Sequence, residues 1–158
     1  MSLPLRLLFI DDQEADLILL EDLLIESVPE ASFVGCTSGS EALQYLSVTA
    51  TLPDLIILDW HLLGLSGLEL LTLLRQSART QDIPVVIRSG SAHPQHQADA
   101  LAAGAMGYLV KPLGYLEQRA QLVNLCAQWN HLRRLRTVTV PGPGEVAPDQ
   151  ADRRRERC

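Results

Sequence analysis

Apolar and polar positions along the chain alternate between two periods. Five short apolar runs cover residues 5–10, 31–36, 55–58, 83–87 and 106–110. In the third, Leu55-Ile56-Ile57-Leu58, no polar residue interrupts the run. Such a stretch reads as a strand covered on both faces, the situation of a parallel sheet. Between the runs the spacing becomes helical. In residues 13–28, Leu17, Leu20, Leu24 and Val28 recur three or four apart and form a core-facing stripe, with Ile18 and Ile25 at its flanks and Pro29 as its stop. Ser38 and Glu41 have capping-box spacing and open a second helix to about residue 46. A third begins at Leu65 or Ser66 after the turn punctuated by Gly64 and Gly67, and runs to about residue 78. A fourth covers residues 93–103 and closes at Gly104, and a fifth covers residues 115–135. Five strands alternating with five helices predict an α/β fold. It is a doubly wound five-stranded parallel sheet with right-handed crossovers and helices on both faces.

The fifth helix carries two apolar stripes. Leu116, Ala120, Val123 and Ala127 are expected to face the sheet. Leu122, Leu125, Trp129 and Leu132 form a second stripe, which calls for a partner surface, and a homodimer through this helix is expected. Residues 1–135 thus read as one domain and 136–158 as a tail or arm. In the tail the β-branched run 137–140 could add to a sheet edge of another subunit. The Pro-, Gly- and charge-rich remainder cannot bury enough apolar surface to order itself. No output domain is expected after residue 135, so output is expected to pass through protein contacts.

A net charge of −6 argues against a general nucleic-acid binder. No apolar run approaches the roughly 18 residues of a membrane span, and the N-terminal run is too short for a signal sequence. The cysteines Cys36, Cys126 and Cys158 are widely spaced and odd in number, neither a disulfide framework nor a metal-ligand pair. Together these features predict a cytoplasmic protein with no nucleic-acid or membrane partner.

The candidate chemistry lies at the strand ends. The residue after a buried strand sits at the carboxyl edge of the sheet, where open α/β folds place ligands. On its own stretch Asp59 reads equally as a presented acid or as an ordinary strand-ending residue or helix cap. The first, third, fourth and fifth strands, however, end at Asp11-Asp12, Asp59, Ser89 and Lys111. Clustered carboxylates repel and imply a bound cation, and all-oxygen ligands suit Mg²⁺. The lysine supplies a positive charge and the serine a hydrogen bond for an oxyanion carried by one of the acids. This is the equipment for phosphoryl transfer to a carboxylate.

The set Phe9-Ile10-Asp11-Asp12, Leu58-Asp59, Gly64 with Gly67, Ser89-Gly90 and Tyr108-Leu109-Val110-Lys111-Pro112, in this order, resembles a response-regulator receiver domain over about residues 5–128. The resemblance implies the flavodoxin-like receiver fold and a signalling phosphoacceptor rather than an enzyme with a separate substrate. By position, Asp59 would accept a phosphoryl group from a histidine kinase. Asp12, Asp59 and the backbone carbonyl of His61 would bind Mg²⁺ directly, with Asp11 acting mainly through water. Ser89 and Lys111 would contact the phosphoryl group, Ser89 and Tyr108 would form the switch, and the Lys111-Pro112 bond would be cis. A stand-alone receiver with a long last helix is similar to regulators that accompany bacterial phytochrome kinases, which suggests such a kinase as partner.

The chain departs from the family pattern in places. Leu63 replaces a frequent proline, and Arg88 replaces an apolar residue before Ser89. Strand alternation points Arg88 to one face near the sheet end, toward an acid or a partner. His61 and Ser91 hold the variable positions that tune phosphoryl lifetime in this family. Three other classes make different demands on these residues. An aspartyl phosphohydrolase needs a second acid where His61 stands. A flavodoxin-like cofactor binder needs a phosphate loop where the acidic residues 11–14 stand. A phosphorylation-independent interaction module would bind its partner regardless of Asp59→Asn.

Overall fold

The computed structural model describes residues 4–139, with side chains to residue 133. Residues Pro4–Val123 form one compact unit, and the described residues 124–139 belong to a second. The expected domain boundary at residue 135 therefore falls inside a helix. The five strands are β1 (Arg6–Ile10), β2 (Ser32–Cys36), β3 (Leu55–Leu58), β4 (Val85–Ser89) and β5 (Gly107–Val110). The five helices are α1 (Glu14–Ser27), α2 (Gly39–Val48), α3 (Gly67–Gln76), α4 (Pro94–Ala102) and α5 (Tyr115–Thr139).

All pairings are parallel, in the order β2-β1-β3-β4-β5. β1 and β3 lie inside the sheet, which is why their runs lack polar alternation. Leu8, Ile10, Ile56, Leu58, Val85 and Ile87 point to one face and pack with Ala42 and Leu46 of α2, Leu70, Leu71 and Leu74 of α3, and Ala100 of α4. Leu7, Phe9, Ile57 and Val86 point to the other face, and α1 buries Leu17, Leu20, Leu23 and Leu24. Completely burying a side chain of this size contributes about 1.5–3 kcal/mol, so these two layers dominate the stability of the unit.

Helix starts follow local chemistry. Ser66 Oγ accepts from Glu69 N, and Glu69 Oε1 accepts from Ser66 N, a complete capping box. At α2, Ser38 Oγ accepts from Glu41 N, but the Glu41 carboxylate turns to Thr37 N instead of closing the box. Between α3 and α4, the Arg75 guanidinium donates to the carbonyls of Gly104, Gln81 and Ile83, tying two loops together.

Three expectations need correction. β4 continues through Arg88 and Ser89 rather than stopping at Ile87. The run expected as an extended arm is helical through Thr139, and Val140 with the rest of the tail lies outside the described residues. The faces of α5 are reversed. Leu116 is 69% exposed and Ala120 and Ala127 are exposed, whereas Leu122, Leu125 and Trp129 are buried. Of the stripe assigned to a partner, only Leu132, at 43%, is open. Burying Leu122, Leu125 and Trp129 removes more apolar surface from water than burying the alanine-containing stripe would.

Candidate functional site

Four strand ends bring the candidate residues to one edge. Pairing of Ile10 with Leu58 aligns Asp11 and Asp59 one residue further along β1 and β3. Oxygen atoms of Asp11, Asp12 and Asp59 lie within 4.8 Å of one another. Each carboxylate is oriented by a backbone N–H close in sequence or from the facing loop. Asp11 Oδ1 accepts from Gln13 N at 2.9 Å, Asp59 Oδ1 from His61 N at 3.1 Å, and Asp12 Oδ2 from Leu63 N at 3.2 Å. Asp12 Oδ1 accepts no hydrogen bond among the described residues. The loop that carries His61 and Leu63 is held close by Gly67. A Cβ there would stand 2.6 Å from Asp59 O and 2.7 Å from Trp60 Cα.

Asp11 and Asp59 are 4% and 6% exposed. Two buried carboxylates this close need compensating positive charge. Lys111 Nζ supplies part of it, at 2.9 Å from Asp11 Oδ2 and 3.5 Å from Asp59 Oδ2. Burial, aided by the charge of Asp59, pushes the Asp11 carboxyl above its usual range, with the hydrogen bonds from Lys111 and Gln13 and the charge of Lys111 opposing. Burial also works to lower the Lys111 ammonium, but its bond to Asp11 and the charges of Asp11 and Asp59 outweigh that and hold it above an ordinary lysine. Lys111 therefore remains charged, and one ammonium faces several acids. The three converging carboxylates, hard oxygen donors with no sulfur or imidazole among them, fit a divalent cation.

Sequence reading missed Asp16, whose Oδ2 lies 3.1 Å from Lys111 Nζ. A signal was present: Asp16 stands four residues before Leu20, at the end of the inward stripe of α1.

On the far side Ser89 is completely buried, and its Oγ accepts from Ser91 N at 3.1 Å. Tyr108 is half-buried, and its hydroxyl donates to the Ser91 carbonyl at 2.7 Å. Ser89 and Tyr108, expected from the resemblance to form a switch, are thus linked through one residue, Ser91. Ser91 Oγ also lies 2.8 Å from His96 Nδ1, and the His96 ring meets the rings of His61 and His93, each at 5.2 Å between centroids. The two variable positions, His61 and Ser91, therefore share a neighbour that the sequence did not indicate.

Arg88 is only 5% exposed, and among the described residues its hydrogen bonds go to amides rather than to an acid. Its Nε donates to Gln121 Oε1 and its Nη2 to Gln118 Oε1, both at 3.0 Å. Gln121 Nε2 donates in turn to Val110 O. The face of α5 that contains Gln118, Gln121 and Leu122 thus lies on β4 and β5.

A parallel α/β sheet whose carboxyl edge presents three acids, a lysine and a buried serine defines a class of cation-dependent, oxyanion-binding domains. Comparison places the chain within that class: the response regulator receiver domain matches residues 7–123, and the chain belongs to that family. It is 33% identical over 117 residues to the phosphate regulon transcriptional regulatory protein PhoB of Rhizobium meliloti (strain 1021), covering 74% of this chain and 50% of that one. It is 36% identical over 119 residues to the response regulator RppA of Synechocystis sp., covering 75% and 49%. The chain spans about half the length of these curated relatives. Among solved structures it resembles the phosphorylated cyanobacterial phytochrome response regulator RcpA, with a TM-score of 0.75 and 25% identity over 88% of this chain and 99% of that one. The Mn²⁺-bound response regulator Rcp1 shares the fold, with a TM-score of 0.72 and 24% identity over 88% of this chain and 100% of that one. Receiver domains of two-component systems bind a divalent cation and partner with histidine kinases. No helix among the described residues is long and apolar enough to cross a membrane.

Proposed function

We propose that Asp59 is the phosphoacceptor of a two-component signalling protein. The observation that carries this is the position of Lys111 Nζ, within 3.5 Å of Asp59 Oδ2 and beside the carboxylate cluster. An Asp59 oxygen attacks phosphorus, a P–O bond forms, and the P–N bond of the ring-protonated phosphohistidine breaks with its electron pair passing to the ring, which leaves as neutral imidazole. Lys111 stays with the oxygens that gain charge, and Ser89 offers its hydroxyl to one of them. Asp12, Asp59, the His61 carbonyl and, mainly through water, Asp11 are the groups to hold Mg²⁺. When bound, that ion neutralises the phosphoryl oxygens and the crowded acids.

Exchange of the Ser89 contact, relayed through Ser91 to Tyr108, alters the surface around β5 and α5 and hence protein contacts. Likeness to RcpA, named as a phytochrome response regulator, supports a phytochrome-type sensor kinase as partner. The protein acts in the cytoplasm, where such a kinase presents its phosphohistidine. A homodimer through α5 draws on Leu132 and the exposed Leu116 side, because Leu122, Leu125 and Trp129 are buried.

The test is intact mass after incubation with acetyl phosphate and Mg²⁺, beside Asp59→Asn. A gain of one phosphoryl group in the wild type alone is expected. No gain at any time, with acetyl phosphate or a kinase, overturns the reading and leaves a phosphorylation-independent interaction module.

A further inference from the structure

Arg88 is a buried cation held by two neutral amides. Buried charges are normally paired with opposite charges. Its hydrogen bonds go only to Gln118 and Gln121, and no carboxylate lies in bonding contact with it among the described residues. The charges that compensate it lie at the site. Burial pulls the guanidinium below an ordinary arginine, and Asp16, Asp11 and Asp59 act in the opposite direction. The sheet explains why. Ile10 pairs with Leu58, and Leu58 with Ile87. One residue further along, Asp11, Asp59 and Arg88 occupy one row on three neighbouring strands. Alternation turns all three to the face of Phe9, Ile57 and Val86. Neighbouring strands are about 4.8 Å apart, so Arg88 stands beside the phosphoacceptor on the inner side of the sheet edge. Arg88, Asp11 and Asp59 line the same small cavity with Phe9, Leu20 and Ile57. Lys111 approaches the acids by hydrogen bonds, whereas Arg88 approaches them through the field alone.

We propose that Arg88 is a positioning residue of this site: a fixed second cation, anchored by Gln118 and Gln121 of α5, that offsets the acid cluster and weakens its hold on a divalent cation. The inference rests on reading Asp11, Asp12 and Asp59 as the cation site. Such a cation repels Mg²⁺ while offsetting the repulsion among the metal-free carboxylates. Through the glutamines, the same charge ties the site to the first turns of α5.

The test is Mg²⁺ titration of the whole chain, followed by the amide resonances of Trp60 and His61, with no phosphodonor. Arg88→Met removes the charge at similar length, and Arg88→Lys keeps it. Gln118→Glu gives the guanidinium a carboxylate partner without removing it. Arg88→Met and Gln118→Glu are expected to bind Mg²⁺ about fivefold more tightly, the size for a unit charge acting on a divalent ion over about 8 Å with water-like screening. Arg88→Lys should stay near wild type. Tighter binding separates the proposal from a packing role, because a loosened site would bind more weakly. Unchanged or weaker binding in Arg88→Met overturns it. If that variant does not fold, Gln118→Glu decides in the same way. A wild type whose resonances ignore Mg²⁺ would overturn both this inference and the cation site, a pattern distinct from a wild type that binds and variants that match it.

Discussion

Gly67 brings the start of α3 against the backbone of Asp59 and Trp60, and Gly67→Ala tests that closeness. The added Cβ would stand 2.6 Å from Asp59 O, 2.7 Å from Trp60 Cα and 2.8 Å from Trp60 O. All three are backbone atoms, so no rotamer change relieves the contact. Ordinary van der Waals contact begins near 3.4 Å, so loop and helix must part by about 0.8 Å (3.4 less 2.6). Overpacking of this kind costs about 1–3 kcal/mol. Replacing glycine where the backbone is already helical returns about 0.4–1 kcal/mol through the unfolded chain. The net expectation is a loss of about 1–2 kcal/mol in urea unfolding. The effect on chemistry should be larger, because Asp59 and the His61 carbonyl ride on the displaced loop, and a misplacement near 1 Å can cost about 100-fold in rate. Phosphorylation by acetyl phosphate, followed by intact mass, should therefore slow by at least about tenfold. Gly107→Ala is the control, since a Cβ there meets nothing within 4 Å. A Gly67→Ala protein with wild-type stability and wild-type phosphorylation would refute the reasoning.

Two further perturbations probe the buried charges. Lys111→Met leaves Asp11, Asp16 and Asp59 without their ammonium, so stability at pH 7 should fall by about 3 kcal/mol. Mg²⁺ should restore more stability to this variant than to the wild type in urea titrations with and without the ion, and equal gains would contradict that account. Burial raises the Cys36 thiol from 9.0 to about 11, so the fold favours the neutral form. That contribution, about 2–3 kcal/mol, is fully present below pH 9 and is lost as the pH rises toward 11. Unfolding curves across that range should fall less steeply for Cys36→Ala than for the wild type, and parallel curves would remove the thiol from the account.

The strands were legible because β1 and β3 are covered on both faces, and unbroken apolar runs such as Leu55–Leu58 have few other uses. The acids and Lys111 were legible for a related reason, since a polar residue directly after such a run must sit at the sheet edge. Asp16 was not, because a helix stripe read for its leucines hides an acid at its end. Two failures share one cause. Arg88 had no settled partner in the sequence, and the faces of α5 were reversed. Periodicity gives the spacing of a stripe but not which of two stripes turns inward. Gln118 and Gln121 lie between the two stripes and gave no sign of which side turns inward. In the fold those glutamines turn inward because a buried guanidinium on β4 needs acceptors, and Leu122 follows them by helical geometry. The orientation of α5 is thus consistent with one cation placed beside Asp59 for reasons that belong to the site.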